Sequence, residues 1–256
     1  MILSRLSHAF RTQNWFAVAL EFLIVIAGVV IGFQITAWNE ARGERDLEQR
    51  YVERLADALE TDIAQFSNAI ELAILRAEQA RQVLAAIEDN SVAHEDPTDF
   101  LRGIVTAAYT FVPTVDEVVF EEMISRGDVA IIRAETLRSQ IGAYYQFLES
   151  YSQWHYLRSH VQTDYMAQRA GVLTPAQERL WVDAYVTDGV VGVELETFST
   201  ADADAALERI RERPGMISAL AHVESWQIYN QIVYLDARDR AEALLAALRA
   251  EYGGNR

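Results

Sequence analysis

A chain of 256 residues with 51% hydrophobic content can bury one large core or two small ones, and a mean hydropathy of −0.01 is too polar for a protein that crosses a membrane many times. It has no cysteine, which excludes disulfides, thiolate metal sites and cysteine nucleophiles; every one of its 22 basic residues is arginine, which excludes the lysine of a phosphate-binding P-loop. The net charge is −16, and beyond residue 38 the balance is 20 Arg against 37 acids with no basic stripe, so no nucleic-acid partner is expected.

The first element is "WFAVALEFLIVIAGVVIGFQITAW", Trp15 to Trp38. Its 24 residues would span roughly 36 Å as a helix, against about 30 Å of bilayer hydrocarbon. Trp15 and Trp38 bracket it as interfacial anchors. A cleaved signal peptide would have a shorter apolar run and a small-residue cleavage site, and a soluble core helix would seldom be apolar all round. The expectation is one uncleaved transmembrane helix over 15–38, a short cytoplasmic tail over 1–14, and a domain over 39–256. The basic residues flanking the span are nearly balanced, and a bacterial inner-membrane protein with its acidic domain in the periplasm is the orientation chosen.

Glu21 lies inside the span, about 8 Å from its centre by residue count. At 100° per residue, Gly28, Gly32 and Ile35 fall within about 40° of it. Gly28 and Gly32 form G-x-x-x-G, which lets two membrane helices approach at backbone distance. The face of Glu21, Gly28, Gly32 and Ile35 is therefore the candidate membrane-helix interface, for a homo-oligomer or a membrane-protein partner. Three roles compete for Glu21: a carboxyl that is protonated or reaches the headgroups, a hydrogen bond between helices, or a proton- or ion-responsive element.

The pattern from Glu21 through Gly28 and Gln34 to Trp38-Asn39-Glu40, with the later "ISRGDVAIIRAETLRSQIGAYY" (Ile124 to Tyr145), resembles an uncharacterised family of bacterial single-pass membrane proteins. The resemblance covers about half the chain. It implies an anchored helical domain and carries no activity or site residues with it.

From Glu40 to about Asp89 a long helix is expected, either continuous with the span or hinged at Gly43, with Val52, Ala56, Leu59, Ile63, Phe66, Ile70, Ala73, Ala77, Ala80, Leu84 and Ile87 at heptad steps. Residues 89–99 read as a polar turn, with Asp96-Pro97 starting a helix over Thr98–Thr110. Thr114 or Asp116 would cap a helix running to Arg126, and Gly127 would end it; the Arg126-Gly127-Asp128 triplet is a capping turn on this reading. A long aromatic helix is expected over 134–170, a short one from Pro175 to about Val186, an irregular stretch with a short strand after it, and helices over 202–213 and 215–252. The predicted fold is all-α: a transmembrane helix continuing into a long heptad helix, packed in an elongated antiparallel bundle.

Chemistry is sparse. The five histidines lack the Glu-x-x-His spacing of a di-iron bundle, His155 and His160 do not share a helix face, and Glu117, Glu121 and Glu122 read as a solvated face. No catalytic residue, metal or cofactor is assigned. Tyr144, Tyr145, Tyr151 and Trp154, interleaved with acids, are the one possible ligand pocket, for a small cation. The expected function is that of a non-enzymatic membrane-anchored interaction or scaffold protein. The alternative is a periplasmic small-solute sensor acting through a membrane partner.

Overall fold

The computed structural model describes residues 15–158, 160–180 and 197–253, without the side chains of residues 15, 17, 18 and 153–158. Every regular element among the described residues is helical: α1 (Trp15–Glu88), α2 (Asn90–Glu95), α3 (Pro97–Thr106), α4 (Val118–Arg126), a 3-10 turn (Asp128–Ile131), α5 (Glu135–Arg158), α6 (His160–Arg169), α7 (Pro175–Glu178), α8 (Thr200–Arg211) and α9 (Pro214–Tyr252). The protein is thus an all-α helical bundle, and α1 carries both the apolar stretch and the heptad stretch. The chain divides into two compact units, Met1–Tyr51 and Val52–Arg256.

In the second unit the ion pairs fix helix directions. Arg81 of α1 meets Glu224 of α9 at 3.1 Å, and Glu60 of α1 meets Arg249 of α9. The sequence numbers run in opposite senses, so these two helices are antiparallel. The same holds for α5 and α9, where Tyr151 packs edge-on to Tyr234 and the Arg240 guanidinium lies 4.5 Å from the centre of the Phe147 ring. Helix α9 also packs against α6 and α8. One end of the interior is filled by Ala80, Val83 and Ala86 of α1 with Leu101 and Ile104 of α3, Tyr165 of α6, Leu207 and Ile210 of α8, and Leu220 and Val223 of α9. Burying the valine, leucine and isoleucine side chains among them stabilises by roughly 1.5–3 kcal/mol each.

Cap chemistry sets most boundaries. Asp96 accepts from the Asp99 amide at 2.9 Å with Pro97 in the first helical position, so α3 begins where Asp-Pro predicts. Thr174 with Gln177, and Ser199 with Asp202, form reciprocal capping boxes for α7 and α8. Gly127 ends α4 with φ +73°, a left-handed conformation that glycine adopts without strain, so Arg126-Gly127-Asp128 is a helix stop. Neither residue proposed to cap α4 does so: its N-cap is Glu117, whose side chain makes no capping bond, while Asp116 one residue earlier accepts from the Val118 amide at 3.1 Å.

Several boundaries differ from expectation. The polar turn after α1 contains a further helix, α2, because Asp89 caps it through the Ser91 amide at 2.9 Å. Helix α3 stops at Thr106, short of the expected Thr110. The expected helix over 134–170 is described as α5 and α6, with residue 159 outside the described residues. The expected strand and the second half of the helix to Val186 lie in 181–196, outside the description.

The heptad seam is displaced at four of its eleven positions. Val52, Leu59, Phe66, Ala73 and Ala80 are buried as expected, as are Ile70 and Ala77, but Ala56, Ile63, Leu84 and Ile87 are only half-buried. The line one residue earlier, Leu55, Asp62, Ala69, Arg76 and Val83, is buried throughout. An apolar count passes over that line because it contains Asp62, with no exposed surface, and Arg76, 6% exposed.

Candidate functional site

The first candidate lies within the Met1–Tyr51 unit. The N-terminal part of α1 is long and apolar enough to cross a membrane, with a window of mean hydropathy 2.2 of which none is buried. Phe16, Phe22, Leu23, Ile24, Ile31 and Phe33 are all more than half exposed, an arrangement that water would penalise and a bilayer would favour. Unbroken helix from 15 to 88 places Glu21, Gly28, Gly32 and Ile35 on one face. A methyl group built on Gly28 or Gly32 would meet nothing within 4 Å among the described residues, so neither glycine makes room for another of them. Thr36 on the next turn donates its hydroxyl to the Gly32 carbonyl at 3.1 Å, which satisfies that polar group within the helix. At the C-terminal end of the span, Arg42 sits over the Trp38 ring, 5.8 Å from its centre. Trp15 begins the helix, and its side chain lies outside the description.

The second candidate is within the bundle and centres on Asp62, a residue the apolar pattern missed. Asp62 accepts the Tyr144 hydroxyl at 2.7 Å and the Asp116 backbone amide at 2.9 Å. Burial pushes its carboxyl up to about 6, against the two hydrogen bonds, which favour the ionised form; Asp116 and Glu117 add to the rise because both are acids. Glu117 is itself raised by burial and by Glu121 and Glu149. The phenol of Tyr144 is driven far above its ordinary value by burial and by Asp62, so it remains a donor. Next to it, Tyr145 stacks on Phe120 of α4, with ring centres 4.2 Å apart, and its hydroxyl donates to the Asp116 carbonyl at 3.4 Å.

Asp116 belongs to a strap, residues 107–117, that joins α3 to α4 without regular structure. An irregular segment running past buried side chains needs donors for its carbonyls. Helix α9 supplies them: Gln227 donates to the Ala107 and Tyr109 carbonyls at 2.8 and 3.1 Å, and Tyr234 to the Phe111 carbonyl at 2.8 Å. The Trp226 indole adds a bond to the Thr110 hydroxyl at 3.2 Å. A second buried polar group lies on α1 and α3, where Gln79 accepts from both Arg76 and Thr106, at 2.8 and 2.9 Å.

Of the four residues proposed for a ligand pocket, Tyr144 and Tyr145 are buried and turn their hydroxyls onto Asp62 and the strap, and Tyr151 packs edge-on to Tyr234. Trp154 lies in α5 with its side chain outside the description. Glu122 is held below the usual carboxylate range by hydrogen bonds from Arg54 and Arg126. Among the described residues no group of three His, Asp or Glu side chains is arranged to hold a metal ion. No protein-family model matches the chain, and no curated protein or solved structure is similar to it.

Proposed function

We propose that the protein is a non-enzymatic, membrane-anchored interaction protein that assembles with copies of itself, or with a membrane partner, through the Glu21, Gly28, Gly32 and Ile35 face. The observation that carries this reading is the pair of glycines: they lie on the face of the one acid in the apolar stretch 15–38, and among the described residues nothing lies within 4 Å of a methyl group built on either. Close helix approach there would add van der Waals contact and give the Glu21 carboxyl a partner, removing a cost of a few kcal/mol for an unpaired acid at that depth. In this reading the span is anchored in a bacterial inner membrane with the acidic bundle in the periplasm, in keeping with the family that the Glu21-to-Glu40 pattern resembles. The alternative, a sensor binding a small cation at the tyrosines, would require Tyr144 and Tyr145 to give up the partners their hydroxyls hold.

The test is native mass in mild detergent, comparing the full-length protein with a Gly28→Ile/Gly32→Ile variant. A defined oligomer that falls to monomer in the variant, or a co-purifying membrane partner lost from it, supports the assignment. An oligomer or partner unaffected by the substitutions removes this face from the contact, and a wild-type monomer without partner overturns the proposal.

A further inference from the structure

The Asp62 carboxyl is a titratable group with no exposed surface, placed on a buried line of α1. What it does is hold the C-terminal end of the strap. Between Thr110 and Asp116 the strap has no regular structure; beside the burial of Pro113, the hydrogen bonds that hold it come from Trp226 and Tyr234 of α9, Tyr145 of α5 and Asp62 of α1. We propose that Asp62 is a proton-controlled latch: it secures the 107–117 strap to the bundle when protonated, and the strap loosens from α1 when the carboxyl ionises.

The surroundings set the direction. The strap brings Asp116 and Glu117 to the carboxyl, and α4 and α5 add Glu121 and Glu149 beside Glu117. Helix α5 otherwise offers the phenols of Tyr144 and Tyr145, both held neutral by burial. No arginine offsets these acids at Asp62; on α1 and α9, Arg54 pairs with Glu122 and Arg249 with Glu60. Every charge acting on Asp62 from the strap is therefore negative, and two hydrogen bonds compensate only in part for the lost hydration of its anion. Opening the strap admits water to the carboxylate and separates it from Asp116 and Glu117. The folded carboxyl titrates near pH 6, while an exposed one titrates near 3.8. Stability contributed by the closed strap is thus complete below about pH 4 and is lost as pH rises through 6.

Amide hydrogen exchange of the full-length protein in detergent, followed by mass spectrometry from pH 5 to 7.5 and corrected for intrinsic rates, reads the opening directly. Linkage predicts that opening of residues 110–117 rises about tenfold over that range. In Asp62→Asn the rise should vanish. In Tyr144→Phe, which removes a donor to the anion, it should extend to higher pH, so the test survives if one variant folds poorly. The latch is overturned if wild-type strap exchange does not change with pH, if Asp62→Asn keeps the same dependence, or if the buried amides of 241–248 in α9 change in step with the strap, since that would be opening of the whole bundle.

Discussion

Gln227 offers the sharpest test of how the strap is seated. Its side chain is 1% exposed and donates both amide hydrogens, to the carbonyls of Ala107 and Tyr109. Gln227→Met keeps the volume and removes both donors. The Ala107 carbonyl, on a residue with no exposed surface, then loses the side chain that satisfies it; the Tyr109 carbonyl is nearer water and loses less. At about 1–3 kcal/mol for a buried group left unsatisfied, the sum is roughly 2–4 kcal/mol. For a domain of this size each kcal/mol moves the melting temperature by about 2–4 °C, so a fall of about 5–15 °C is expected. The assay is thermal unfolding of the full-length protein in detergent, followed by circular dichroism at pH 7.5. Gln227→Glu adds a control, because an ionised carboxylate only accepts and would face two carbonyls: it should be less stable than the Met variant at pH 7.5 and recover part of the loss in acid. A Met variant melting within about 2 °C of wild type, on the same scale, would refute the claim that the strap depends on these two bonds.

Asp62 gives a pH dependence of opposite sign to that of most paired carboxylates. Because its folded value is raised from 3.8 to about 6, the native state loses up to about 3 kcal/mol as pH rises from 4 to above 6. Asp62→Asn, whose amide can still serve both Tyr144 and the Asp116 amide, should flatten that dependence in urea titrations at several pH values and be the more stable protein at pH 7.5. Gly127→Ala, where φ is +73° and the added methyl meets nothing within 4 Å, should cost only the left-handed strain, about 1–2 kcal/mol, with the α4 boundary unchanged in exchange data.

Features whose causes are local were legible in the sequence. The apolar span, the Asp-Pro start of α3, the Gly127 stop and the placement of α9 each follow from residues within one or two turns of one another. The short α2 was missed because a cap at Asp89 acts through a single amide two residues on, and composition alone marks the stretch as a polar turn. The Asp62 site was missed for a different reason. Its partners are 54 and 82 residues away in sequence, and Gln227 reaches 120 residues back to Ala107. The apolar residues of the heptad helix alone do not mark Asp62 as buried. A signal was nonetheless present: the 4-3 step continued from Leu55 and Leu59 lands on Asp62, then Phe66, and two heptads after Asp62 it lands on Arg76.

Those two charges explain how so thin a seam specifies one register. Ala69, Ala73 and Ala80 line the distal half of α1, and alanines alone discriminate poorly between neighbouring heptads. A slip of seven residues along α1 would set Leu55 or Ala69 opposite the Tyr144 hydroxyl and the Asp116 amide, leaving two buried donors unsatisfied at about 1–3 kcal/mol each. The same slip would carry Gln79 away from Thr106. The correct alignment is then favoured less by its own strength than by the cost of the alternatives. An ionised acid in that position weakens the bundle at neutral pH, so the residue that fixes the register of α1 is also the one that makes the hold on the strap sensitive to protons.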